Sequence, residues 1–106
     1  MSKILKAVPG ARTNAAKQST SVSVATSNTA IVAANPSRCE LTIRNIDATN
    51  FIDIMLNTTD GTTAPTATAG NGLRLYSKDS WTTDSYTGPV NGIANTGACN
   101  VTILEI

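Results

Sequence analysis

Alternation of apolar and polar residues is the strongest pattern in this chain, and it is clearest over residues 35–56. Leu41 and Ile43 alternate with polar neighbours, which places the apolar side chains on one face of a strand. Turn-favouring residues follow, and Ile52 and Ile54 then continue the alternation. Two half-buried runs this close in sequence are typical of an antiparallel pair. We therefore predict that the two strands lie side by side in one sheet.

The same period of two recurs along most of the chain, between short segments of turn-favouring residues. No helical periodicity extends beyond one turn. The runs predict seven or eight short strands. This spacing is typical of an all-β fold, either a small antiparallel β-sandwich of jelly-roll type or a barrel. The residues predicted to lie inside are Leu41, Ile43, Ile52, Ile54, Leu56, Leu73, Leu75, Val101 and Ile103.

Residues 57–71 interrupt the strand pattern, because they contain no large apolar side chain. We predict a long surface loop here, with a tight turn at Asp60 and Gly61. A loop of this length either has a role in binding or is a tolerated insertion, and the residues favour neither alternative.

Charge divides the chain into a basic N-terminal arm, residues 1–19, and a mildly acidic body, residues 20–106. The whole chain has 8 Lys and Arg and 7 Asp and Glu. The arm holds 4 basic residues and no acid, so the body holds 4 basic and 7 acidic residues, a charge of −3. The arm is either a solvated terminus or a segment that orders on a partner surface. Its candidate partner-binding residues are Lys3, Ile4, Leu5, Lys6, Val8, Arg12 and Lys17.

The residue types argue against catalysis and against a bound metal or cofactor. The chain contains no histidine, so it has no Ser–His or Cys–His nucleophile pair and no ordinary zinc site. Its acidic residues are scattered through turns and strands, which disfavours the carboxylate pair of a glycoside hydrolase. We expect no enzyme activity, no cofactor and no metal. Four cations without an aromatic residue among them are a weak indication of nucleic-acid binding, so nucleic acid is not expected as a partner either.

No apolar run approaches the length of a membrane span, and the N-terminus lacks the apolar segment of a signal peptide. We therefore expect synthesis in a cytoplasm and no membrane partner. Cys39 and Cys99 each begin a predicted strand. An antiparallel pairing of these strands would separate the two thiols, whereas a parallel pairing would bring them together. Cytoplasmic synthesis favours thiols, and we predict two buried, unbridged cysteines.

The chain is small and poor in aromatic residues, which makes oligomerisation a plausible further source of stability. Phe51 and Met55 alternate with Ile52 and Ile54, so they face away from the core of a monomer. Phe51 and Met55 are therefore our candidates for an oligomer interface. The single tryptophan, Trp81, is expected in the core or at an interface.

Several short motifs in the body carry a family resemblance. They are Asn35-Pro36-Ser37-Arg38, Leu41-Thr42-Ile43-Arg44-Asn45, Gly72-Leu73-Arg74-Leu75, Ser80-Trp81, Tyr86-Thr87-Gly88, Val90 and Ile93-Ala94. Together they resemble a group of small virion proteins of tailed bacteriophages, over about residues 29–106. The long loop at 57–71 and Cys39 depart from the pattern of that group.

The resemblance implies a non-enzymatic structural protein of a virion, made in the host cytoplasm. We therefore expect a capsid decoration or head-fibre subunit, homo-oligomeric and, by analogy with virion proteins, most simply trimeric. The arm lies outside the resemblance, and attachment through it is our own hypothesis. The partners of the subunit would be the major capsid protein or other virion subunits. The alternative is a carbohydrate- or receptor-binding module of a phage tail or fibre, in which Trp81, Tyr86 and the 57–71 loop would form a shallow site.

Overall fold

The computed structural model describes residues 18–57 and 59–106, and all the regular secondary structure in these ranges is β. The first strand begins at Gln18, two residues before the predicted start of the body. None of the described residues forms a helix that could cross a membrane. The strands are β1 Gln18–Val24, β2 Thr29–Val32, β3 Leu41–Asn45, β4 Ile52–Leu56, β5 Leu73–Leu75, β6 Ser80–Thr83, β7 Val90–Ala94 and β8 Cys99–Glu105.

The strands form two four-stranded antiparallel sheets that pack on each other. The first sheet has the order β1-β8-β3-β6, and the second has the order β2-β7-β4-β5. The pairing is nested along the chain: β1 pairs with β8, β2 with β7, β3 with β6 and β4 with β5. Successive pairs in this series belong alternately to the first and the second sheet. This is the jelly-roll arrangement, built from two Greek keys. The predicted all-β sandwich of about eight strands is confirmed.

The core lies between the sheets and is mostly aliphatic. Alternation along β3 and β8 buries every second residue, while their neighbours face solvent or are only half-buried. Of the predicted core residues, Leu41, Ile43, Ile52, Ile54, Leu75, Val101 and Ile103 are buried in one cluster. Val24, Ile31, Val32, Val90, Ala94 and Cys99 complete that cluster.

Two predicted core positions differ from the structure. Leu56 is only half-buried, although it packs against the core cluster. Leu73 is 43% exposed, so its prediction as a core residue was wrong. It begins β5, a three-residue strand at the outer edge of the second sheet. A residue at the end of an edge strand has no further strand beside it, and alternation alone does not reveal that position.

The predicted pairing of the two central strands was also wrong. β3 belongs to the first sheet, where it pairs with β8 and β6, and β4 belongs to the second sheet, where it pairs with β7 and β5. Residues 46–51 connect one sheet to the other. The two strands therefore bury their apolar faces in the same core, and their edges pair with other strands.

The cysteines do not bridge, as predicted. β3 and β8 are antiparallel, with Leu41 opposite Glu105 and Asn45 opposite Val101, so Cys39 and Cys99 lie at opposite ends of the pair. Cys99 is buried, whereas Cys39 is half-buried. The expectation of a fully buried thiol therefore holds for Cys99 only.

Candidate functional site

The proposed partner-binding residues of the arm cannot be placed. Lys3, Ile4, Leu5, Lys6, Val8, Arg12 and Lys17 all lie outside the described residues. What the structure does show is where the body meets the arm. β1 begins at Gln18, which pairs with Glu105 near the C-terminal end of β8.

A buried polar cluster lies at this end of the sandwich, centred on Arg38. The Arg38 Nε atom donates to Glu105 Oε2 at 2.7 Å, and the two side chains are 1% and 5% exposed. Its Nη1 atom donates to the carbonyls of Tyr86 and Gly88, and its Nη2 atom donates to the carbonyl of Ala33. One guanidinium thus holds together three separate segments of chain, with charge-assisted hydrogen bonds to the carboxylate.

Asn35 completes this cluster, which we call the Arg38 clamp. Its backbone N–H donates to the carbonyl of Thr87, and its Nδ2 atom donates to Glu105 Oε2. Its Oδ1 atom accepts from the N–H of Ser37, which forms an Asx turn around Pro36. Residues from two of the resemblance motifs, 35–38 and 86–88, therefore meet at one place. The hydrogen bonds of Asn35, Arg38 and Gly88 described above hold these segments to each other.

A second buried polar residue, Asn45, joins the two sheets at the other end of β3. Its Nδ2 atom donates to the carbonyls of Asn50 and Leu75. Its Oδ1 atom accepts from the N–H of Asp47 and from the Cys99 thiol at 3.1 Å. Burial, together with the charge of Asp47, raises the pKa of Cys99 to about 11, so this thiol stays protonated at neutral pH.

The 57–71 loop is coil, as predicted, and it is fastened to the outer face of the second sheet. The Tyr86 hydroxyl accepts from the N–H of Asn57 and donates to the carbonyl of Pro89. Further along, Ala67 is buried, and its N–H donates to Asn28 Oδ1. The loop thus has fixed attachments at its beginning and along its course.

The predicted turn at Asp60 and Gly61 is present, and Gly61 has a φ of 70°. The Asp60 carboxylate accepts from the N–H groups of Thr63 and Thr62 and from the Thr63 hydroxyl. These hydrogen bonds favour the charged form and lower the pKa of Asp60 to about 2. The turn therefore carries a negative charge at any pH at which the protein would function.

An apolar groove of about 330 Å³ lies between β2, the edge strand of the second sheet, and this loop. We call it the β2 groove. Small side chains line much of it, namely Ala30, Ala33, Ala34 and Ala64, together with the Pro89 ring. A second cleft, lined by residues 31–35 and Glu105, continues it toward the Arg38 clamp.

An aromatic and arginine cluster lies at the opposite edge of the second sheet. Arg74 donates from Nε and Nη2 to the two oxygens of Asp53, at 2.8 and 3.1 Å. Its guanidinium lies 3.9 Å from the centre of the Phe51 ring, a cation–π contact. Tyr76 is 56% exposed and meets Phe51 edge-on at 5.6 Å.

This cluster contains Phe51, one of the two residues predicted to form an oligomer interface. Phe51 and Met55 are half-buried and lie on the opposite side of β4 from Ile52 and Ile54, as the alternation indicated. Arg74, stacked on the Phe51 ring, is part of what covers it. Whether Phe51 and Met55 contact a second copy stays a prediction. Sequence reasoning missed Arg74 and Tyr76 as members of this surface, although their alternation with Leu73 and Leu75 could have indicated it.

Trp81 and Tyr86, the residues of the alternative binding site, are both partly buried against the core. Trp81 pairs with Ile43 across β6 and β3, on the face that points inward. Trp81, expected in the core or at an interface, therefore packs against the core without being fully buried. Tyr86 uses its hydroxyl for the two hydrogen bonds that hold the base of the loop.

Within residues 18–57 and 59–106, no three Cys, Asp or Glu side chains are grouped so that they could hold a metal ion. The candidate surfaces are therefore the β2 groove and the Phe51–Arg74–Tyr76 cluster, both suited to contact with another molecule. Comparisons of the chain with protein-family models, with curated proteins and with solved structures found no match.

Proposed function

We propose that this chain is a non-enzymatic structural protein of a bacteriophage virion, a homo-oligomeric capsid decoration or head-fibre subunit attached through its N-terminal arm. The observation that carries the proposal is the jelly-roll strand order of the body. Viral capsid domains commonly use this architecture, although lectin domains and cupins use it too. The step from fold to function is therefore an analogy, and it needs independent support.

The Arg38 clamp supplies part of that support. Arg38, Asn35, Tyr86 and Gly88 belong to the motifs that resemble small virion proteins, and each contributes a hydrogen bond within the clamp or the base of the loop. None of these groups is presented to a substrate. The resemblance is thus one of architecture, which is the kind of likeness that structural subunits would share.

The arm supplies the means of attachment. Ile4, Leu5 and Val8 would each contribute about 1.5–3 kcal/mol if fully buried on a neighbouring subunit. The four basic residues of the arm would favour an acidic partner, such as the major capsid protein or another virion subunit. An oligomer is favoured, because several arms on one oligomer would reinforce one another, and a trimer is proposed by analogy with virion proteins.

The direct test is whether the chain is part of assembled particles. Particles should be isolated by density-gradient centrifugation from lysates containing either the full chain or a variant lacking residues 2–17. Quantitative mass spectrometry should find the full chain at a fixed copy number per particle and the variant in the unassembled fractions. A full chain that is absent from particles would refute the proposal. A shortened chain that decorates particles at full occupancy would refute the role of the arm.

A carbohydrate- or receptor-binding module is the second candidate, and the exposure of Tyr76 favours it. This ring offers an open face beside the fixed guanidinium of Arg74, whose cation–π contact holds it over Phe51. A sugar could stack on such a ring and accept hydrogen bonds from Arg74. A glycan-array signal that Tyr76→Ala abolishes and Trp81→Phe retains would favour this candidate.

A further inference from the structure

The β2 groove has the composition of a site for aliphatic side chains. Ala30, Ala33, Ala34 and Ala64 are exposed, and each ends in a single methyl group. Short side chains keep the groove shallow and uncharged, so an incoming Ile or Leu could contact its floor. Its volume of about 330 Å³ lies at the lower end of the range for binding pockets, about 300–1,000 Å³. This size suits one or two anchoring side chains.

The groove lies beside the point where the arm leaves the body. Val32, Ala33 and Ala34 line both the groove and the cleft that reaches Glu105. Glu105 is also the strand partner of Gln18, the first residue of β1. The arm therefore departs from the end of the sandwich at which the groove opens.

Direction and length favour the groove of a neighbour over the groove of the same chain. β1 and β2 belong to opposite sheets and are joined by residues 25–28, so an arm that continued the direction of β1 beyond Gln18 would run past the end of the body. To enter its own groove the arm would have to reverse direction. Residues 9–17, if extended, span about 30 Å, which is enough to bring Ile4, Leu5 and Val8 onto an adjacent copy.

Charge complementarity favours the body, rather than another arm, as the partner of the arm. The arm carries +4 and residues 20–106 carry −3, so arm and body attract, whereas two arms repel. Asp60 stands two residues before Thr62, which lines the groove. Its carboxylate is exposed and remains ionised, because the loop's own N–H groups stabilise the charge. It could pair with Lys3 or Lys6, which flank the aliphatic anchors in sequence.

We propose that the β2 groove binds the apolar segment 4–8 of the arm of a second copy of this chain. The inference rests on the proposed function, in which the arm lies along a neighbouring subunit, and it takes that subunit to be a second copy of this chain rather than the major capsid protein. Exchange of arms would link neighbouring copies into a continuous array.

Photocrosslinking with isotope-labelled chains tests the inference on full-length protein. The acceptor is an unlabelled chain with p-benzoylphenylalanine in place of Ala34 and with Ile4→Asp and Leu5→Asp, so that its own arm cannot enter the groove. The donor is a ¹⁵N-labelled chain with an unaltered arm. A matched control acceptor carries the photoprobe in place of Ala48, which is exposed on the connection between β3 and β4.

We expect labelled arm peptides on the position-34 acceptor at least tenfold above the position-48 control. The yield should fall to the control level when the donor also carries Ile4→Asp and Leu5→Asp. Yields equal at the two positions would overturn the groove as the site. To test for self-binding, labelled and unlabelled chains with intact arms and the probe at position 34 are mixed. Links found only between peptides of the same isotope would overturn the second copy as the occupant.

The crosslinking reaction uses purified protein and no particle, so its outcome does not depend on whether the chain is found in virions. Absence from particles would refute the proposed function and leave a positive crosslink standing as an interaction between copies. A negative crosslink with full particle occupancy would refute only the groove. The two failures are therefore distinguishable.

Discussion

Arg38 connects three segments of the chain through one buried side chain. Removing its side chain would leave the Glu105 carboxylate buried without a cation and three carbonyls without a donor. We expect Arg38→Met to lower the free energy of unfolding by about 3–5 kcal/mol, as is usual when one partner of a buried pair is removed. Urea denaturation followed by circular dichroism measures the change.

Two further variants distinguish the effect of breaking the buried Arg38–Glu105 ion pair from the effect of removing an arginine side chain in general. Arg44→Met removes an exposed guanidinium from β3 and should change stability by no more than about 0.5 kcal/mol. The double variant Arg38→Met, Glu105→Leu removes both charges and should be more stable than Arg38→Met alone. If Arg38→Met were no more costly than Arg44→Met, the clamp would not hold the fold as described.

The lowered pKa of Asp53 should make the free energy of unfolding depend on pH. The hydrogen bonds from Arg74 lower the pKa of Asp53, and the N–H of Gly70 adds to the effect. A carboxyl group with a lowered pKa in the folded state contributes stability above its unfolded pKa, about 3.9, and loses that contribution as the pH falls through its folded pKa. Wild type should therefore be more stable than Asp53→Asn at neutral pH, and the difference should shrink below about pH 4.

Chemical denaturation of both proteins from pH 7 to pH 2.5 gives that difference directly. Asp84→Asn provides a control for the removal of an exposed carboxylate, directly after β6. A difference between wild type and Asp53→Asn that stayed constant down to the lowest pH would show that the Asp53 carboxylate is not stabilised by Arg74.

At the scale of elements, the strands could be predicted from the sequence but their partners could not. Alternation of period two is a local property, and it located β3 and β8, in which every second residue is buried, and β4, in which Ile52 and Ile54 lie in the core. Pairing is set by the whole topology. The sequence of the 46–51 connection does not indicate whether the chain turns back beside β3 or crosses to the other sheet.

Buried polar residues escaped sequence reasoning for a related reason. Arg38 and Asp53 are buried although they are charged, and Asn45 is buried although its side chain is polar. Each is buried because distant segments supply its hydrogen-bond partners, from Leu75 for Asn45 and from Arg74 for Asp53. Such partners lie 20 or more residues away in the chain. The candidate surfaces could therefore be predicted only where a local pattern marked them, at Asp60 and Gly61 in the loop and at Phe51 and Met55 on the outer side of β4, while the arm residues lie outside the described residues and stay a prediction.

The start of β5 depends on a glycine, which gives a prediction at this scale. Gly72 has a φ of 83°, and a Cβ atom there would overlap the carbonyl oxygen of Ile54 in β4. Gly70 has almost the same φ, 84°, but open space around it. Gly70→Ala should cost about 1–2 kcal/mol for the left-handed backbone alone, and Gly72→Ala should cost clearly more. Thermal unfolding of both variants compares the costs. Equal losses would mean that β5 shifts freely away from β4.

At the scale of the whole molecule, the division of charge between arm and body determines how the protein would associate. The arm and the body have opposite net charge, and the body offers the β2 groove and the Phe51–Arg74–Tyr76 cluster as contact surfaces. Light scattering on the purified full chain should therefore report an oligomer, most simply a trimer. A stable monomer at micromolar concentration would count against the interface role of Phe51 and Met55.

The arms of one oligomer are expected to bind the particle together, because one arm alone gains little free energy. Ordering the arm costs about 1–2 kcal/mol per fixed backbone residue, so a single arm should bind weakly even with its aliphatic anchors buried. An oligomer presents several arms at once, and after the first has bound, the others bind at a high effective concentration. Attachment should therefore weaken steeply when the oligomer is broken.

Particle occupancy measured by quantitative mass spectrometry across a series of NaCl concentrations gives the result. The variant Lys3→Gln, Lys6→Gln should detach at a lower salt concentration than wild type, because it has lost part of the electrostatic attraction that salt screens. Ile4→Ala with Leu5→Ala should reduce occupancy at every salt concentration, because burial of apolar surface is not screened. If both pairs of substitutions shifted the salt curve in the same way, the separate roles given to the charged and the aliphatic residues of the arm would be wrong.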